Sequence, residues 1–418
     1  MNHAYFTMVA KTFKGLEEVL AQELIELGAN EVQLERRAVS FKGDKAMLYR
    51  ANLCLRTALR VLVPVRVESL KIKVERSRKV ESRKTKIESK KPEDQVYEIA
   101  KSVKWERYMT EDSTFAIDAT VYSDNLRNSR FVTYRVKDAI ADYWTEKTGK
   151  RPNVNTEDPD VRINVHIANE QVTVSLDSSG ESLHKRGYRV ATTEAPISEV
   201  LAAGMLLMAG WKGQCDLYDP MCGSGTIPIE AALIARNIAP GVFRKAFGFE
   251  KWPDFDEELW SEIYNDDSKE RDFAHKIYGS DASFYAVQQA MKNVKSAGVQ
   301  KDVELRQIRM EELRVESLEL KEEKMVMINP PYGERLASNK DMEELYGKIG
   351  TALKHQFTGA TAWIISSNEA AMKCIGLKPS KKMRLLNGEL DCQFNKYELF
   401  AGKRSEALPH SDVPKATH

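Results

Sequence analysis

The sequence predicts an α/β protein built on a doubly wound, mostly parallel sheet with a terminal antiparallel hairpin, preceded by smaller α+β units. Three observations lead to this fold class. Short apolar strand patterns alternate with helical patterns from residue 197 onward, as they do in parallel sheets. A glycine turn joins an early strand of this series to a helix, and Asn387-Gly388 joins the last two strands. The 418 residues suffice for two or three domains.

The composition is that of an ordinary soluble protein. Lys and Arg number 63 against 62 Asp and Glu, a net charge of +1, so nucleic-acid binding must come from local basic patches. The five cysteines form no Cys-x-x-Cys pair, which argues against a metal site or disulfides and favours a reducing compartment. The sequence has no signal-peptide pattern or membrane-length apolar run. We expect a cytoplasmic protein without metal or membrane partner, for which an oligomer is not required.

The sequence pattern over residues 5–67 predicts a small α+β unit. Apolar positions in 15–27 recur with helical spacing and stop at Gly28. The predicted strands are 5–10, 39–41 and 58–67, and the predicted helices are 15–27 and 44–52.

Residues 71–91 form a basic insertion, rich in Lys, Arg and Ser and poor in apolar residues. We interpret this segment as a long mobile hairpin or loop that is either merely solvated or in contact with RNA. If RNA contact is correct, neutralising Lys79, Arg83 and Lys84 weakens RNA binding and flattens its salt dependence. RNA affinities measured across a salt series test this prediction, and an unchanged slope rejects it.

A second α+β unit extends from residue 92 to about 179, with predicted helices 93–103 and 133–148 and strands 115–122, 161–168 and 172–177. A polar, basic stretch at 125–130 leads into the second helix. Such a cluster can bind phosphates through side chains and the helix N-terminus. Alternatively, Asn128 and Ser129 only cap the helix. The candidate RNA-binding residues here are Arg127, Asn128, Arg130 and Lys137.

A polar stretch at 183–189 then leads to the alternating series. Lys185, Arg186 and Arg189 are candidate phosphate contacts, or residues of a solvated linker. Helix 197–209 precedes the strands, which are predicted at 217–218, 277–278, 303–307, 325–328 and 362–366. The hairpin strands follow at 382–386 and 393–400, and residues after 403 form a polar tail.

The glycine turn lies between the strand pattern 215–218 and the helix pattern 227–235. Gly223 and Gly225 let the backbone approach a ligand where a Cβ would collide. No Lys follows the glycines as a P-loop requires, and their spacing is not that of a dinucleotide site. Asp219 suits the amino or carboxylate-bearing tail of a cofactor better than a pyrophosphate. The candidate cofactor residues of the turn are Asp219, Pro220, Cys222, Gly223, Ser224, Gly225 and Thr226.

Asp281 follows the strand pattern 276–279. An acid at the end of the second strand is placed to accept hydrogen bonds from ribose hydroxyls, as in doubly wound nucleotide folds. Taken alone, an Asp in this place is more often the N-cap of the helix predicted over 282–296, and both roles can coexist.

The tetrapeptide Asn329-Pro330-Pro331-Tyr332 follows the apolar strand pattern 325–328, at the edge where open α/β sheets bind ligands. The Asn329 side-chain oxygen and the Pro330 carbonyl can each accept an N–H bond from an amine, while both prolines stiffen the loop. Tyr332 offers a flat face for an extruded base. A simple strand-ending turn is the alternative. With the glycine turn, the tetrapeptide indicates methyl transfer from S-adenosylmethionine to an exocyclic amine.

Taken in order, these segments resemble the family of THUMP-domain class I RNA methyltransferases and, within it, the N-terminal methyltransferase half of the bacterial 23S rRNA guanine-N2 enzymes. The resemblance extends over nearly the whole chain. The segments that carry it are 14–18, 41–44, 127–129, 136–140, 151–154, 184–189, 219–226, 329–336 and 390–393.

The resemblance implies a ferredoxin-like region over 1–55, a THUMP domain over 56–180 and a Rossmann-like methyltransferase domain over 181–402. It implies S-adenosylmethionine as cofactor, ribosomal RNA as partner and guanine N2 as the methylated atom. In the family the turn 219–226 contacts the cofactor, the acid matching Asp281 holds the ribose, and the loop 329–332 holds the target base.

Two features depart from the family. The acid that receives the adenine amino group in many relatives is replaced by Arg309, so the backbone or Glu311 could take that role. Longer relatives carry a second methyltransferase domain, so one activity is expected here. Guanine N2 of tRNA, adenine N6 of DNA and a non-catalytic RNA-binding or assembly role remain alternatives.

Overall fold

The structure is a computed structural model that describes residues 5–71, 91–124, 126, 128–193, 196–313, 323–331 and 339–400. The basic insertion and the polar tail predicted from the sequence therefore lie almost entirely outside the described residues. The chain forms two compact units, which we call the N-terminal and C-terminal units. The N-terminal unit comprises Met1–Thr12, Leu20–Leu183 and Arg244–Asp266, and the C-terminal unit comprises Phe13–Val19, His184–Phe243 and Asp267–His418.

The first part of the N-terminal unit is antiparallel. Its strands are β1 (Phe6–Lys11), β2 (Asn30–Glu35), β3 (Ala38–Gly43) and β4 (Arg60–Ser69). Its helices are α2 (Lys45–Cys54) and α1 (Glu17–Glu26), of which residues 17–19 are counted with the C-terminal unit. Asp44 caps α2 by accepting a 2.9 Å bond from the Met47 amide, the role that short polar side chains commonly fill. The sequence did not predict β2, because its side chains are almost all exposed and give no apolar alternation.

The second part adds helices α3 (Pro92–Lys101) and α4 (Ser129–Thr148) and strands β5 (Phe115–Tyr122), β6 (Val161–Ala168) and β7 (Gln171–Asp177). The seven strands form one sheet in the order β2-β3-β1-β4-β7-β6-β5. Only β5 and β6 pair in parallel among these strands. Every second side chain of β6 is buried, which explains why its alternating pattern was readable from the sequence.

Residues 244–266 also belong to the N-terminal unit, although they lie between elements of the other sheet in sequence. Their helix, α7 (Glu257–Tyr264), packs near the ring of Tyr49. Tyr49 stacks on Phe249 with ring centroids 4.4 Å apart, and Trp260 meets Phe249 edge-on at 5.1 Å. Aromatic pairs of this geometry contribute beyond their buried area, so they anchor the segment.

The C-terminal unit holds the second sheet, in the order β10-β9-β8-β11-β12-β14-β13. β8, β9, β10, β11 and β12 are parallel, and β14 runs antiparallel to β12 and β13. The predicted doubly wound sheet with a terminal hairpin is therefore confirmed. The strands are β8 (Asp216–Asp219), β9 (Ile277–Asp281), β10 (Val303–Gln307), β11 (Lys324–Ile328), β12 (Thr361–Ser366), β13 (Lys381–Asn387) and β14 (Leu390–Glu398).

Helices cover this sheet. They are α5 (Glu199–Met208), α6 (Thr226–Ala235), α8 (Phe284–Ser296), α9 (Asn339–Gln356) and α10 (Glu369–Cys374). Residues 325–328 of β11 are all buried, as expected for a central strand with helices on both faces. Because β8, β9 and β11 are parallel, their carboxyl ends meet at one edge of the sheet, where ligands bind in such folds. Among the described helices, none combines the length and apolar character needed to span a membrane.

Candidate active site

The glycine turn connects β8 to α6 through two left-handed residues. Gly223 has φ +53° and Gly225 has φ +84°, a region that side-chain-bearing residues rarely adopt. A Cβ on Gly225 would also lie 3.1 Å from the Cβ of Ala290 on α8. At Gly223 a Cβ would meet no atom closer than the Thr193 hydroxyl, at 3.8 Å. The first glycine thus leaves open space, and the second allows close helix packing.

Asp219 ends β8 and is 1% exposed. Its Oδ1 accepts a 3.2 Å bond from the Met221 amide, whereas its buried Oδ2 has no hydrogen-bond partner among the described residues. Burial raises the pKa of this carboxyl well above its ordinary value. Such an acceptor at the end of a central strand is available to a ligand that brings an N–H or O–H donor.

The raised pKa of Asp219 gives a pH-dependent prediction. The folded protein binds this proton more tightly than the unfolded chain, so the stability that the carboxyl contributes is complete at low pH and lost as pH rises through the raised pKa. We expect Asp219→Asn to exceed the unchanged protein in stability at alkaline pH. The difference should vanish below about pH 3.9, the ordinary Asp value. Denaturant unfolding across pH measures it, with exposed Asp267→Asn as control; equal curves would contradict the prediction.

Asp281, the last residue of β9, connects two parts of the site. Its Oδ2 accepts a 3.0 Å bond from the Gly223 amide, and its Oδ1 accepts a 2.9 Å bond from the Ser283 amide. The helix cap is Ser283, which accepts a bond from the Ala286 amide. The alternative that Asp281 caps α8 is therefore wrong, because the helix begins two residues later than predicted. The Asp281 carboxylate instead fixes the glycine turn and is partly exposed.

Asn329 and Pro330 follow β11 directly. The Asn329 Oδ1 is buried and has no hydrogen-bond partner among the described residues, and Pro330 is buried beside it in the chain. Tyr332 lies outside the described residues, so its predicted stacking role stays a prediction. The site thus contains two buried oxygen acceptors without a described partner, one on Asp219 and one on Asn329.

A cavity of about 550 Å³ opens at this edge of the sheet. It brings together most of the residues predicted from the two motifs. Gly225 and Pro330 are not among its lining residues, whereas the predicted residues that line it are Asp219, Pro220, Cys222, Gly223, Ser224, Thr226, Asp281, Asn329 and Pro331.

Other lining residues escaped the sequence analysis. Thr193, Pro196 and Ile197 come from the segment before α5, and a face of α9 contributes Asp341, Glu344, Leu345 and Lys348. The spacing of these four positions is that of one helix face, which was a readable signal. Arg309 and Glu311 also line the cavity, so the choice between Glu311 and the backbone for adenine stays a prediction.

Arg189 lies behind the glycine turn. Its Nε donates to Glu199 at 2.7 Å, Nη1 donates to the Ser224 hydroxyl at 2.9 Å, and Nη2 donates to the Thr226 hydroxyl at 2.9 Å. Its side chain is 18% exposed. Because the Arg189 guanidinium donates to these partners, it does not face RNA phosphates. The structure therefore assigns Arg189 to holding the glycine turn in place and does not support its predicted RNA contact.

Replacing Arg189 by methionine should loosen this turn. Charged hydrogen bonds of this kind contribute about 1.5–3 kcal/mol each, and two of them end on residues of the cavity wall. We expect S-adenosylmethionine binding to weaken about tenfold or more for a loss of ~1.4 kcal/mol or greater. Calorimetric titration measures it. Arg236→Met is the control, since Arg236 pairs with Asp302 at 3.7 Å; equal affinities in both variants would contradict the prediction.

Arg186 is 2% exposed and belongs to the C-terminal unit. Its Nε is 3.5 Å from the Glu230 carboxylate, to which the Tyr188 hydroxyl donates at 2.9 Å. Burial, and after it the neighbouring Glu230, raise the pKa of Tyr188 well above its ordinary value, so the phenol remains a donor. An enclosed guanidinium cannot reach an RNA backbone, so the predicted RNA contact of Arg186 is replaced by a structural role, whereas Lys185 is exposed.

The other predicted RNA-binding residues lie on α4 or next to it. Asn128 caps α4 by accepting a 3.2 Å bond from the Phe131 amide, as the structural alternative proposed. Arg130 is exposed, and Lys137 is partly buried beside Asp138 at 3.3 Å. Arg127 lies outside the described residues. RNA contact by this cluster stays a prediction.

Three family descriptions match successive parts of the chain. Residues 7–62 match the RlmL ferredoxin-like domain, residues 90–177 match the THUMP domain, and residues 186–396 match the RMKL-like methyltransferase domain. A candidate RNA methyltransferase of Synechocystis sp. is 37% identical over 398 residues, covering 95% of this chain and 97% of that protein. The ribosomal RNA large subunit methyltransferase K/L of Syntrophotalea carbinolica is 36% identical over 412 residues. That match covers 96% of this chain and 55% of that protein, so the chain spans about half its length.

Solved structures agree with these matches. SMU.472, a candidate methyltransferase complexed with S-adenosylhomocysteine, has a TM-score of 0.80 at 29% identity, covering 96% of this chain and 99% of that one. A Listeria monocytogenes protein predicted to be an N6-adenine-specific DNA methylase has a TM-score of 0.80 at 30% identity, covering 95% and 97%.

The fold, the cavity and these matches define an RNA methyltransferase that uses S-adenosylmethionine. More narrowly, the chain belongs to the family of THUMP-domain class I RNA methyltransferases, with an RlmL ferredoxin-like domain and an RMKL-like methyltransferase domain.

Proposed function

We propose that this protein methylates the exocyclic N2 amine of a guanine in 23S rRNA. The observation that carries the proposal is the buried Asn329 Oδ1, which has no partner among the described residues and lines the cavity at the end of β11. A buried acceptor without a partner is costly. An amine that enters the cavity would satisfy it, which is why a nitrogen target is favoured over a carbon target.

The chemistry follows from the nature of the amine. Its lone pair is delocalised into the guanine ring, so the nitrogen is a poor nucleophile until its orientation is fixed. Asn329, which lines the cavity, accepts one N–H bond. The second acceptor in this proposal is the carbonyl of Pro330, a buried residue that does not line the cavity, and the two prolines limit the motion of both acceptors. Such positioning is the main catalytic effect of this loop. A strong base is unnecessary because the amine proton becomes acidic only as the new N–C bond forms.

The described residues fit the cofactor. S-adenosylmethionine supplies an electrophilic methyl group on sulfur. The unpartnered Asp219 Oδ2 is an acceptor for its amino group, and the partly exposed Asp281 carboxylate is an acceptor for ribose hydroxyls. The left-handed Gly223 leaves the space that a close backbone approach requires.

The substrate class rests on the N-terminal unit and on the relatives. The THUMP match over 90–177 favours RNA over DNA, although one similar structure carries the name of an adenine-N6 DNA methylase. The K/L relative acts by name on the ribosomal large subunit, which favours 23S rRNA over tRNA. That relative is nearly twice as long, so its whole activity is not transferred here. Within the described residues no cluster of metal-ligating side chains occurs.

Product identification tests this proposal. The purified protein is incubated with methyl-labelled S-adenosylmethionine and, separately, with unmodified 23S rRNA, tRNA or duplex DNA, and each substrate is digested to nucleosides. We expect N2-methylguanosine from 23S rRNA. The same product only from tRNA supports the tRNA alternative, N6-methyladenine from DNA supports the DNA alternative, and RNA binding without transfer to any substrate supports the non-catalytic one.

A further inference from the structure

The outward face of α8 carries large apolar side chains in solvent. Phe284 is 61% exposed, Tyr285 is 63% exposed and Met291 is 44% exposed. The opposite face is buried, through Ala286, Ala290 and others. A single exposed apolar residue is ordinary, whereas three on one helix face mark an interaction surface. The sequence does not reveal this surface, because an aromatic pair at the start of a helix is equally compatible with a position in the core.

The charge of α8 indicates the kind of partner. Its 13 residues contain no Asp or Glu, and the exposed side chains of its last two turns include Lys292 and Lys295. This local excess contrasts with a net charge of +1 for the whole chain. Flat aromatic faces with nearby cations and no carboxylates on the same helix match unpaired nucleotides, whose bases stack and whose phosphates are anionic. An apolar protein partner would leave the two lysines without a counter-charge.

The location of the pair relates it to the active site. Asp281 and Ala282 line the cavity, Ser283 caps α8, and the two exposed rings follow directly in the chain. Phe284 and Tyr285 thus follow the lining residue Ala282 by two and three positions in the chain, although neither ring lines the cavity itself. A target base in a duplex must be unpaired before it can enter such a cavity, so nucleotides next to it are available for stacking.

We propose that Phe284 and Tyr285 form a stacking platform for unpaired RNA nucleotides that flank the methylated base, with Lys292 and Lys295 binding the adjoining phosphates. The proposal rests on RNA being the substrate. It places an RNA-contact surface on the C-terminal unit, in addition to the one expected on the N-terminal unit. The platform binds through base stacking and charge, so it tolerates different flanking sequences.

The test measures binding of a short fluorescent RNA with a single-stranded loop, with no methyl transfer involved. The loss of one stacked base weakens binding about 5- to 150-fold, so the double variant Phe284→Ala/Tyr285→Ala, which removes two rings, should raise the Kd of this RNA by at least this factor. The pair Phe284→Trp and Tyr285→Trp should restore most of the affinity. Phe400→Ala is the matched control, because Phe400 is an aromatic residue that is 45% exposed and lies just after β14, far from α8 in the sequence.

The two lysines are tested separately. Lys292→Gln/Lys295→Gln should reduce the salt slope of RNA binding by about 1.4, the value for two phosphate contacts on a single strand. Unchanged RNA affinity and salt slope in both double variants would overturn the proposal. Unchanged RNA affinity together with loss of self-association or of a protein complex would also overturn it and identify a protein interface. If the unchanged protein forms no N2-methylguanosine while RNA affinity still depends on the pair, the proposed function fails and the platform stands.

Discussion

Asn329→Ala should reduce methyl transfer by at least about 100-fold while leaving S-adenosylmethionine binding unchanged. The magnitude is that observed when a positioned hydrogen-bonding group is removed from a reacting atom. Asn329 contributes a buried oxygen acceptor without a partner among the described residues, so its truncation removes no hydrogen bond from this oxygen to a described residue. The loss should therefore appear in the rate of transfer and not in stability.

Three measurements separate these effects: single-turnover methylation, calorimetric cofactor binding and thermal unfolding. Asn329→Asp keeps an acceptor oxygen at the same position, so it should retain more activity than Asn329→Ala. Asn265→Ala serves as the control, because Asn265 is exposed and its Nδ2 donates a 2.8 Å hydrogen bond to the Ser261 carbonyl oxygen. Full activity of Asn329→Ala would refute the role of Asn329. A loss of cofactor binding equal to the loss of rate would place Asn329 in the cofactor pocket instead.

Much of the fold was predictable because its elements follow simple periodicities. The strands predicted at 115–122, 161–168 and 303–307 have the observed bounds, since alternation or apolar runs define them. The edge strand β2 lacked both signals. The segment 244–266 was missed for another reason, because it depends on contacts between Tyr49 and rings about 200 residues later in the chain, which no local pattern reveals.

The candidate site was predictable where it depends on strand ends. Asp219, Asp281 and Asn329 each follow or end a parallel strand, and the topology of such a sheet brings these ends together. The direction of a charged side chain was not predictable, because composition cannot distinguish a guanidinium that faces solvent from one that is buried. Arg186 and Arg189 were predicted to contact RNA because of their charge, whereas in the structure Arg186 is buried and Arg189 is mostly buried.

The enclosed Arg186 leads to the largest stability effect that we expect. Removing one partner of a buried ion pair leaves an uncompensated charge and costs about 3–5 kcal/mol. Glu230 is fully buried, so Arg186→Met should lower the free energy of unfolding of the protein by this amount. The neighbouring Lys185 is exposed, and Lys185→Met should cost less than about 1 kcal/mol. The two adjacent positions thus form a matched pair that differs in burial.

Denaturant unfolding of Arg186→Met and Lys185→Met measures the difference in their free energies of unfolding. The RNA affinity of each folded variant is measured as well. A well-packed apolar pair can replace a buried ion pair at little cost, but Glu230→Leu also removes the acceptor of the Tyr188 hydroxyl. Arg186→Met/Glu230→Leu should therefore recover only part of the stability that Arg186→Met loses. Equal stabilities of Arg186→Met and Lys185→Met would show that Arg186 is not structural. If Arg186→Met remained stable but bound RNA more weakly with a reduced salt slope, the original assignment of Arg186 to RNA would be restored, since the loss of a phosphate contact lowers that slope.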